Sequence, residues 1–360
     1  MAEAGVNVLV VNAGSSSLKL RLLDRDDTVV ATADLPADGD VARALREWPT
    51  PAAVGHRIVH GGTDFTAAVR IDERVRARLD ELTSLAPLHQ PKSLSALDAV
   101  TRVLPEVPAV ACFDTAFHTT IPPAAATYAV PREWQQRYGV RRYGFHGLSH
   151  AYCSRRAIEL TGARRLVTCH LGAGGSLAAV VDGQSVDTTM GFTPLEGLVM
   201  ATRSGTVDPG LVLWLEEHEH QTPHEVASAL ERRSGLLALA GTADMREVQD
   251  RAAAGDPEAS LAFDVYIHRL VISIGAMAAA AGGIDSLVFT GGIGENSADV
   301  RHHAATRLAH LGIALDPARN DGDGTDRDVT ADGARARTLV IAAREDVQIA
   351  RETRAALSAR

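Results

Sequence analysis

Apolar positions first become continuous at Val8–Val11 and resume at Leu18–Leu23, so "VLVVNAGSSSLKLRLLD" reads as two strands joined by a hairpin loop. That loop offers a glycine, three hydroxyls, an amide and a lysine. The pattern returns in "RLVTCHLGAGGSLAAVVDG", Arg165 to Gly183, again as a β-rich run, a small-residue loop, an apolar run and an aspartate. Asn12 precedes Asp24 by the same twelve positions that separate His170 from Asp182. Two hairpins built alike in two halves of one chain indicate a duplicated α/β domain, against the alternative of a coincidence in loop composition. A third run, "SLVFTGGIGENSADVRHHAATRLAHLG", predicts a strand, a glycine turn and a helix starting near Glu295 to Ser297, where Asn or Ser can cap. "TLVIAAREDVQIARETRAALSAR" predicts a strand leading into an amphipathic helix with Val347, Ile349 and Ala350 on its apolar face, placed to pack back on the first domain.

Length and composition narrow what these elements can serve. At 360 residues with 46% hydrophobic positions, two domains with buried cores are expected. Thirty-six basic against forty-five acidic side chains give −9, which argues against an electrostatic grip on nucleic acid or on anionic membrane. The three cysteines, Cys112, Cys153 and Cys169, show no C-x-x-C spacing, so neither a disulfide framework nor a zinc site is indicated. Glu3 and a short apolar run stand where a secretory signal would need a basic start, and "VISIGAMAAAAGG" is too short to span a bilayer. The expectation is a cytoplasmic protein with small-molecule partners.

Lysine occurs only at Lys19 and Lys92. Lys19 therefore has two readings, a solvated strand residue or a compact ammonium placed against a phosphate. The "TGGIGENS" turn presents backbone donors that suit an anion or nucleotide, yet it lacks the dinucleotide fingerprint, and the absence of any Gly-Lys pair excludes an ordinary Walker A loop. His218 and His220 could frame zinc, and Asp321, Asp323 and Asp326 calcium. The first pair lacks further ligands and the second group lacks the loop glycine and terminal glutamate, so both stretches are expected to be surface loops.

Seven stretches, "NAGSSSLK", "GHRIVHGG", "CFDTAFH", "RRYGFHGLSH", "DTTMGFTPLEGLVMATRSG", "SGLLALAGTADMREV" and "TGGIGENS", occur in the order and character of one family. The chain resembles the acetate kinase (acetokinase) family, within the acetate and sugar kinase/Hsp70/actin superfamily. The resemblance implies an α/β fold of duplicated ribonuclease-H-like, actin-like ATPase domains. It places residues 1–148 plus 347–360 in an N-terminal acyl- and phosphate-side domain and 149–346 in a C-terminal nucleotide-binding domain, with an interdomain active-site cleft. It implies reversible Mg²⁺-dependent transfer of phosphate from ATP to acetate, giving acetyl phosphate and ADP, with Mn²⁺ as a substitute ion, in a cytoplasmic homodimer. A propionate or short-chain acyl kinase and a catalytically weak nucleotide-binding regulator are the alternatives.

The same resemblance assigns residues. Arg57, Asp114, His146 and Arg203 fall at catalytic positions. Asn12, Ser15, Ser17, Lys19, His170, Gly172 and Gly174 fall at phosphate-binding ones. Asp244, Arg246, Gly292 and Ile293 would hold the nucleoside, Val59, Leu88, Phe145 and Pro194 the acyl group, and Asn12 with Glu345 the metal shell. The chemistry is consistent with that set. A carboxylate of pKa about 4 to 5 is already ionised at neutral pH and needs no general base, so catalysis must rest on positive charge and alignment that offset repulsion between two anions. Planar guanidinium forks suit both oxyanions.

Some positions depart from the family's usual pattern. Ala173 stands where the second loop usually has asparagine, Ala201 where glycine precedes "TRSG", Thr206-Val207 where an acidic residue commonly begins "DID", and "LHQPKS" where "LHNPPN" is usual. Arg344 replaces an asparagine beside Glu345, and a cation there is expected to compete with Mg²⁺.

Overall fold

A computed structural model describes residues 7–14, 17–37, 39–86, 90–324 and 326–358. Over these residues the chain divides into two compact units, one comprising Met1–Thr119, Phe145–Tyr152 and Arg344–Arg360, the other Thr120–Gly144 and Cys153–Ala343.

The first unit is built on a six-stranded sheet of β1 (Val8–Ala13), β2 (Ser17–Leu23), β3 (Val29–Pro36), β4 (Ala53–Ile58), β5 (Val69–Arg70) and β6 (Ala109–Phe113), in the order β3-β2-β1-β4-β6-β5. β1 to β3 form an antiparallel meander, while β1, β4 and β6 run parallel. The unbroken apolar run in β1 follows from its central place, since a strand covered on both faces needs apolar residues at both phases of the pleat. Val8 and Val10 pack with Val347, Ile349 and Ala350 of the C-terminal helix Glu345–Ser358, as expected from the pattern of that helix. Leu9 and Val11 face the opposite side, with Ala96 and Val100 of helix Gln90–Val103. The C-terminal helix approaches β4 so closely that a Cβ at Gly55 would lie 2.3 Å from Thr353 Oγ1, which only glycine permits.

The second unit has β7 (Arg165–Leu171), β8 (Gly175–Val181), β9 (Gln184–Thr188), β10 (Ser286–Thr290), β11 (Arg327–Asp328) and β12 (Arg337–Val340), ordered β11-β12-β10-β7-β8-β9. Read from the other end, this is the first sheet repeated strand for strand, with the same parallel and antiparallel pairings. The two hairpins therefore occupy equivalent places in two copies of one topology.

Several details differ from expectation. Residues 120–144 group with the second unit rather than the first, because Thr120 Oγ1 donates to the Ser185 carbonyl and Arg142 Nη1 reaches the carbonyls of Thr188, Thr189 and Met190. The helix after "SLVFT" starts earlier than its cap residues indicate. Gly291–Asn296 is itself helical, and Ser297 caps a separate helix, Ala298–Arg307, by accepting from Val300 N. All of "VISIGAMAAAAGG" up to Ala280 lies in the 24-residue helix Pro257–Ala280, which is long and apolar enough to cross a membrane by length and composition. One face of it, including Tyr266, Ile267, Leu270 and Ile274, is buried in the core of the second unit together with Val167, Cys169 and Phe289. His218, His220, Asp321 and Asp323 are exposed, while Asp326 pairs with Arg156 at 2.7 Å.

Candidate active site

Parallel strands bring their carboxyl ends to one edge, where open α/β sheets expose side chains to ligands. In the first unit this edge collects Asn12 from the end of β1, Arg57 from β4 and Asp114 directly after β6. Arg57 donates from Nε and Nη2 to Asp114, at 2.6 Å for Nη2 to Oδ2, and from Nη1 to Asn12 Oδ1 at 3.1 Å. Asn12 Nδ2 in turn donates to Glu345 Oε2 at 2.9 Å. One amide thus bridges the cation to the first residue of the C-terminal helix. Burial weighs against the Arg57 charge, but Asp114 and Glu345 outweigh it and hold its pKa above the ordinary arginine value. Asp114, only 1% exposed, is raised by the same burial while Arg57 pulls it back. Its place behind the guanidinium makes it the group that orients Arg57.

His146 belongs to the same unit and adopts φ +56°, a left-handed conformation that costs a non-glycine residue about 1–3 kcal/mol. Its turn is wedged against Asp114: Gly147 N donates to the Asp114 carbonyl at 2.8 Å, and a Cβ at Gly147 would lie 2.2 Å from that oxygen. His118 Nε2 holds the Phe145 carbonyl at 3.1 Å, and the Phe145 ring meets His60 edge-on at 5.5 Å. Burial pushes both of these supporting histidines down to about 4, so they are neutral at physiological pH. Val59 and Phe145 are buried here as well. Lys19 is exposed on β2 directly opposite Asn12, with Ser17 at the start of the strand. Ser15 and Leu88 lie outside the described residues.

The second unit holds the remaining expected residues. Gly172, Asp244, Arg246, Gly292 and Ile293 line one cavity of about 610 Å³ with Ala173. The equivalent sheet edge supplies it, through the loop after β7 and the turn after β10. His170 is the last residue but one of β7, and Gly172 N donates to Gly174 O across the hairpin loop at 2.9 Å. Asp244 caps helix Met245–Ala253 and pairs with Arg246, whose hydrogen bond holds the carboxyl down at about 2. Arg203 donates to the Pro194 carbonyl at 2.7 Å. Burial lowers its pKa, against the opposing charge of Glu231.

The sequence reading missed Met245, Gln249, Asn296 and Ser297, which also line the cavity. Gln249 follows Met245 by one helical turn, a spacing that marks a shared face once the helix start is known. Arg344 corrects an expectation: it is bidentate on Asp346, with Nε to Oδ1 at 2.9 Å, and also reaches the Asp27 carbonyl, so its charge is engaged away from Glu345.

The sequence model described as the Acetokinase family matches residues 43–351. The chain belongs to the acetokinase family. An acetate kinase of Microcystis aeruginosa is 49% identical over 352 residues, covering 96% of this chain and 87% of the relative. One from Carboxydothermus hydrogenoformans is 40% identical, with 97% and 98% covered. Among solved structures, a Porphyromonas gingivalis acetate kinase superposes with a TM-score of 0.89 at 35% identity, covering 98% of this chain and all of that one. A propionate kinase from Francisella tularensis gives 0.90 at 35% identity, with 97% and 99% covered. Both are similar throughout, so acetokinase-family membership fixes the α/β fold and the phosphotransferase class, and the acid has to be read from the site.

Magnesium is the ion this chemistry implies. Among the described residues no three His, Cys, Asp or Glu side chains cluster as a cage. Mg²⁺ is usually held through one or two carboxylates, retained waters and substrate phosphates, and Glu345 with its oriented Asn12 partner fits that donor set.

Proposed function

We propose that this chain transfers a phosphoryl group reversibly between ATP and acetate, forming acetyl phosphate and ADP by direct attack of the carboxylate. The observation that carries the reading is the Asn12–Arg57–Asp114–Glu345 network. A guanidinium has five N–H donors. Arg57 commits Nε and one donor each from Nη1 and Nη2, so two are left to face an oxyanion from a fixed orientation. No side chain in this network is arranged as a general base for a hydroxyl, and an acetate nucleophile requires none.

Each residue then has a task. Arg57 holds the negatively charged acyl substrate or the phosphoryl oxygens in line, and Asp114 keeps its fork from rotating. His146, held by its strained turn, donates to a phosphoryl oxygen. Arg203, with most of its fork uncommitted, supplies positive charge where the transferring group is most electron-rich. Asn12, Ser17, Lys19, His170, Gly172 and Gly174 contact phosphates, and the 610 Å³ cavity takes the nucleoside. Glu345, with Asn12, would hold Mg²⁺, which shields phosphate charge when bound. Val59 and Phe145, both buried in the first unit, favour a short acid. One extra methylene is worth about 1–3 kcal/mol in such a pocket, so propionate is expected to be a poorer substrate and not an excluded one. We further propose a cytoplasmic homodimer. The exposed Leu211, Leu213 and Trp214, and Leu261 and Ile272, support association through the second unit.

The test is acid-dependent ADP release with ATP, Mg²⁺ and hydroxylamine as trap. Acetate should support faster release than propionate. A propionate preference would transfer the reading to a propionate kinase. ATP binding without acid-dependent turnover would favour a nucleotide-binding regulator.

A further inference from the structure

Arg301 is among the largest fully buried side chains, at 1% exposure, and among the described residues it forms no ion pair. Its guanidinium is held entirely by neutral oxygens. Nη1 donates to the carbonyls of Gly294 and Glu295, both at 2.9 Å, Nε to Asn320 Oδ1 at 2.8 Å and Nη2 to the Asn320 carbonyl at 2.7 Å. Burying a cation without a carboxylate is costly, and desolvation pushes this one down to about 10. Gly294 and Glu295 lie in the last turn of helix Gly291–Asn296, where carbonyls have no partner within the helix and the dipole is negative.

The other end of this helix is held by the opposite charge. Glu295 Oε1 accepts from Gly291 N at 2.9 Å and from Ala343 N at 3.0 Å. Gly291, at φ +78°, is pressed against β7, where an added Cβ would lie 2.7 Å from the Leu171 carbonyl oxygen. A six-residue helix has little stability of its own. This one carries Gly292, Ile293 and Asn296 on the wall of the cavity.

We propose that Arg301 and Glu295 are positioning residues for the nucleotide: a cation on the carbonyl end and an anion on the amide end clamp helix Gly291–Asn296, so that the cavity wall is rigid before ADP or ATP arrives. The inference rests on reading that cavity as the nucleotide site. Neither side chain touches the nucleotide. Their contribution is made through the helix, and it falls on nucleotide binding and not on the acid.

The test uses the full-length protein. ADP affinity is measured by calorimetry, and KM for ATP and for acetate by hydroxamate trapping, in wild type, Arg301→Lys, Arg301→Gln, Glu295→Ala and Glu295→Gln. On the scale of one lost charge-assisted hydrogen bond, ADP affinity and KM for ATP should worsen about tenfold or more in Arg301→Gln and Glu295→Ala, with KM for acetate unchanged. Arg301→Lys should recover part of the affinity and Glu295→Gln most of it, because the amide oxygen still accepts from both N–H groups. Amide exchange in Gly291–Asn296 should accelerate in the weakened variants. Folded variants that bind ADP as wild type does, or that raise both KM values equally, would overturn the inference. If Arg301→Gln fails to fold, the Glu295 pair decides alone. Wild-type protein that does not bind ADP would overturn the nucleotide reading itself.

Discussion

The two sheets share one topology, yet their carboxyl edges carry opposite kinds of chemistry. In the first unit the ends of β1, β4 and β6 present Asn12, Arg57 and Asp114, a dense charged network locked to Glu345. In the second, the corresponding ends of β7 and β10 lead into glycines and small residues, and the charges of Glu295 and Arg301 are turned mainly onto backbone groups. A duplicated scaffold supplies two loop-bearing edges at no extra topological cost. Under the proposed function, side chains make one edge the reactive one, and bare backbone makes the other a surface that a ligand can approach closely.

The largest effect should come from breaking the charged edge. Arg57→Ala should reduce acetate-dependent turnover by about a thousandfold or more, the scale of an arginine stabilising phosphoryl transfer. It also leaves Asp114 buried without its partner, so thermal stability should fall. Removing one member of a buried pair costs about 3–5 kcal/mol, while removing both is often close to neutral. Arg57→Ala/Asp114→Ala should therefore regain melting temperature without regaining turnover. A double variant that recovers activity would show that Arg57 is a structural ion-pair member only. Arg203→Ala should lower turnover about a hundred- to thousandfold with a smaller fall in melting temperature, since its hydrogen bond goes to the Pro194 carbonyl and not to a buried carboxylate.

Much of this was legible in the sequence because it is written in local pattern. The hairpins, the strand into the C-terminal helix and the glycine turn all have short-range signatures, and the Asn12–Asp24 and His170–Asp182 spacing marked the duplication. What stayed hidden depends on partners far along the chain. Arg344 looked like a rival to Mg²⁺ until Asp346 and the Asp27 carbonyl were seen to hold it. Arg301 carries no local signal, because nothing in "SADVRHH" says that Asn320 and two carbonyls enclose it. Residues 120–144 group with the second unit through Arg142, whose hydrogen bonds to Thr188, Thr189 and Glu196 span 46 or more positions. Helix Gly291–Asn296 was missed because glycine is a poor helix former, and here tertiary support overrides propensity.

A smaller effect would sharpen the second edge. Ala173 lines the cavity at a loop position where asparagine is usual, and its carbonyl accepts from Ala201 N at 3.1 Å. Ala173→Asn keeps that backbone bond and adds a donor to the cavity where the proposed function puts the phosphates. A gained hydrogen bond to a charged group is worth about 1.5–3 kcal/mol at most, so turnover or ATP affinity should rise by up to about tenfold after the cost of ordering the side chain. Steady-state kinetics with varied ATP would measure it. An unchanged variant would mean that Gly174 and Gly175 already supply the phosphate donors through their backbone.

The smallest effect concerns the support behind the charged edge. Glu352 lies on the C-terminal helix, where burial raises its carboxyl to about 7, with Gln348 Nε2 donating to Oε1 at 3.0 Å and the charge of Asp114 adding to the rise. In the unfolded chain a glutamate titrates near 4.5. The folded state therefore binds the proton more tightly, and the sign follows from linkage: stability is fullest below about 4.5 and is lost as pH rises through about 7. The loss is bounded at about 3 kcal/mol and should be less once the site relaxes. Glu352→Gln keeps an uncharged, hydrogen-bonding group at all pH values, so its melting temperature should match wild type at pH 5 and exceed it at pH 8. Parallel thermal melts across that range would decide, and a wild type that stabilises with rising pH by the same amount as the variant would show that Glu352 ionises freely. Because the ionisation sits behind Asp114 and not on the substrate, turnover of the folded enzyme should shift little between the two proteins. That separates the charge that builds the first edge from the charge that works at it.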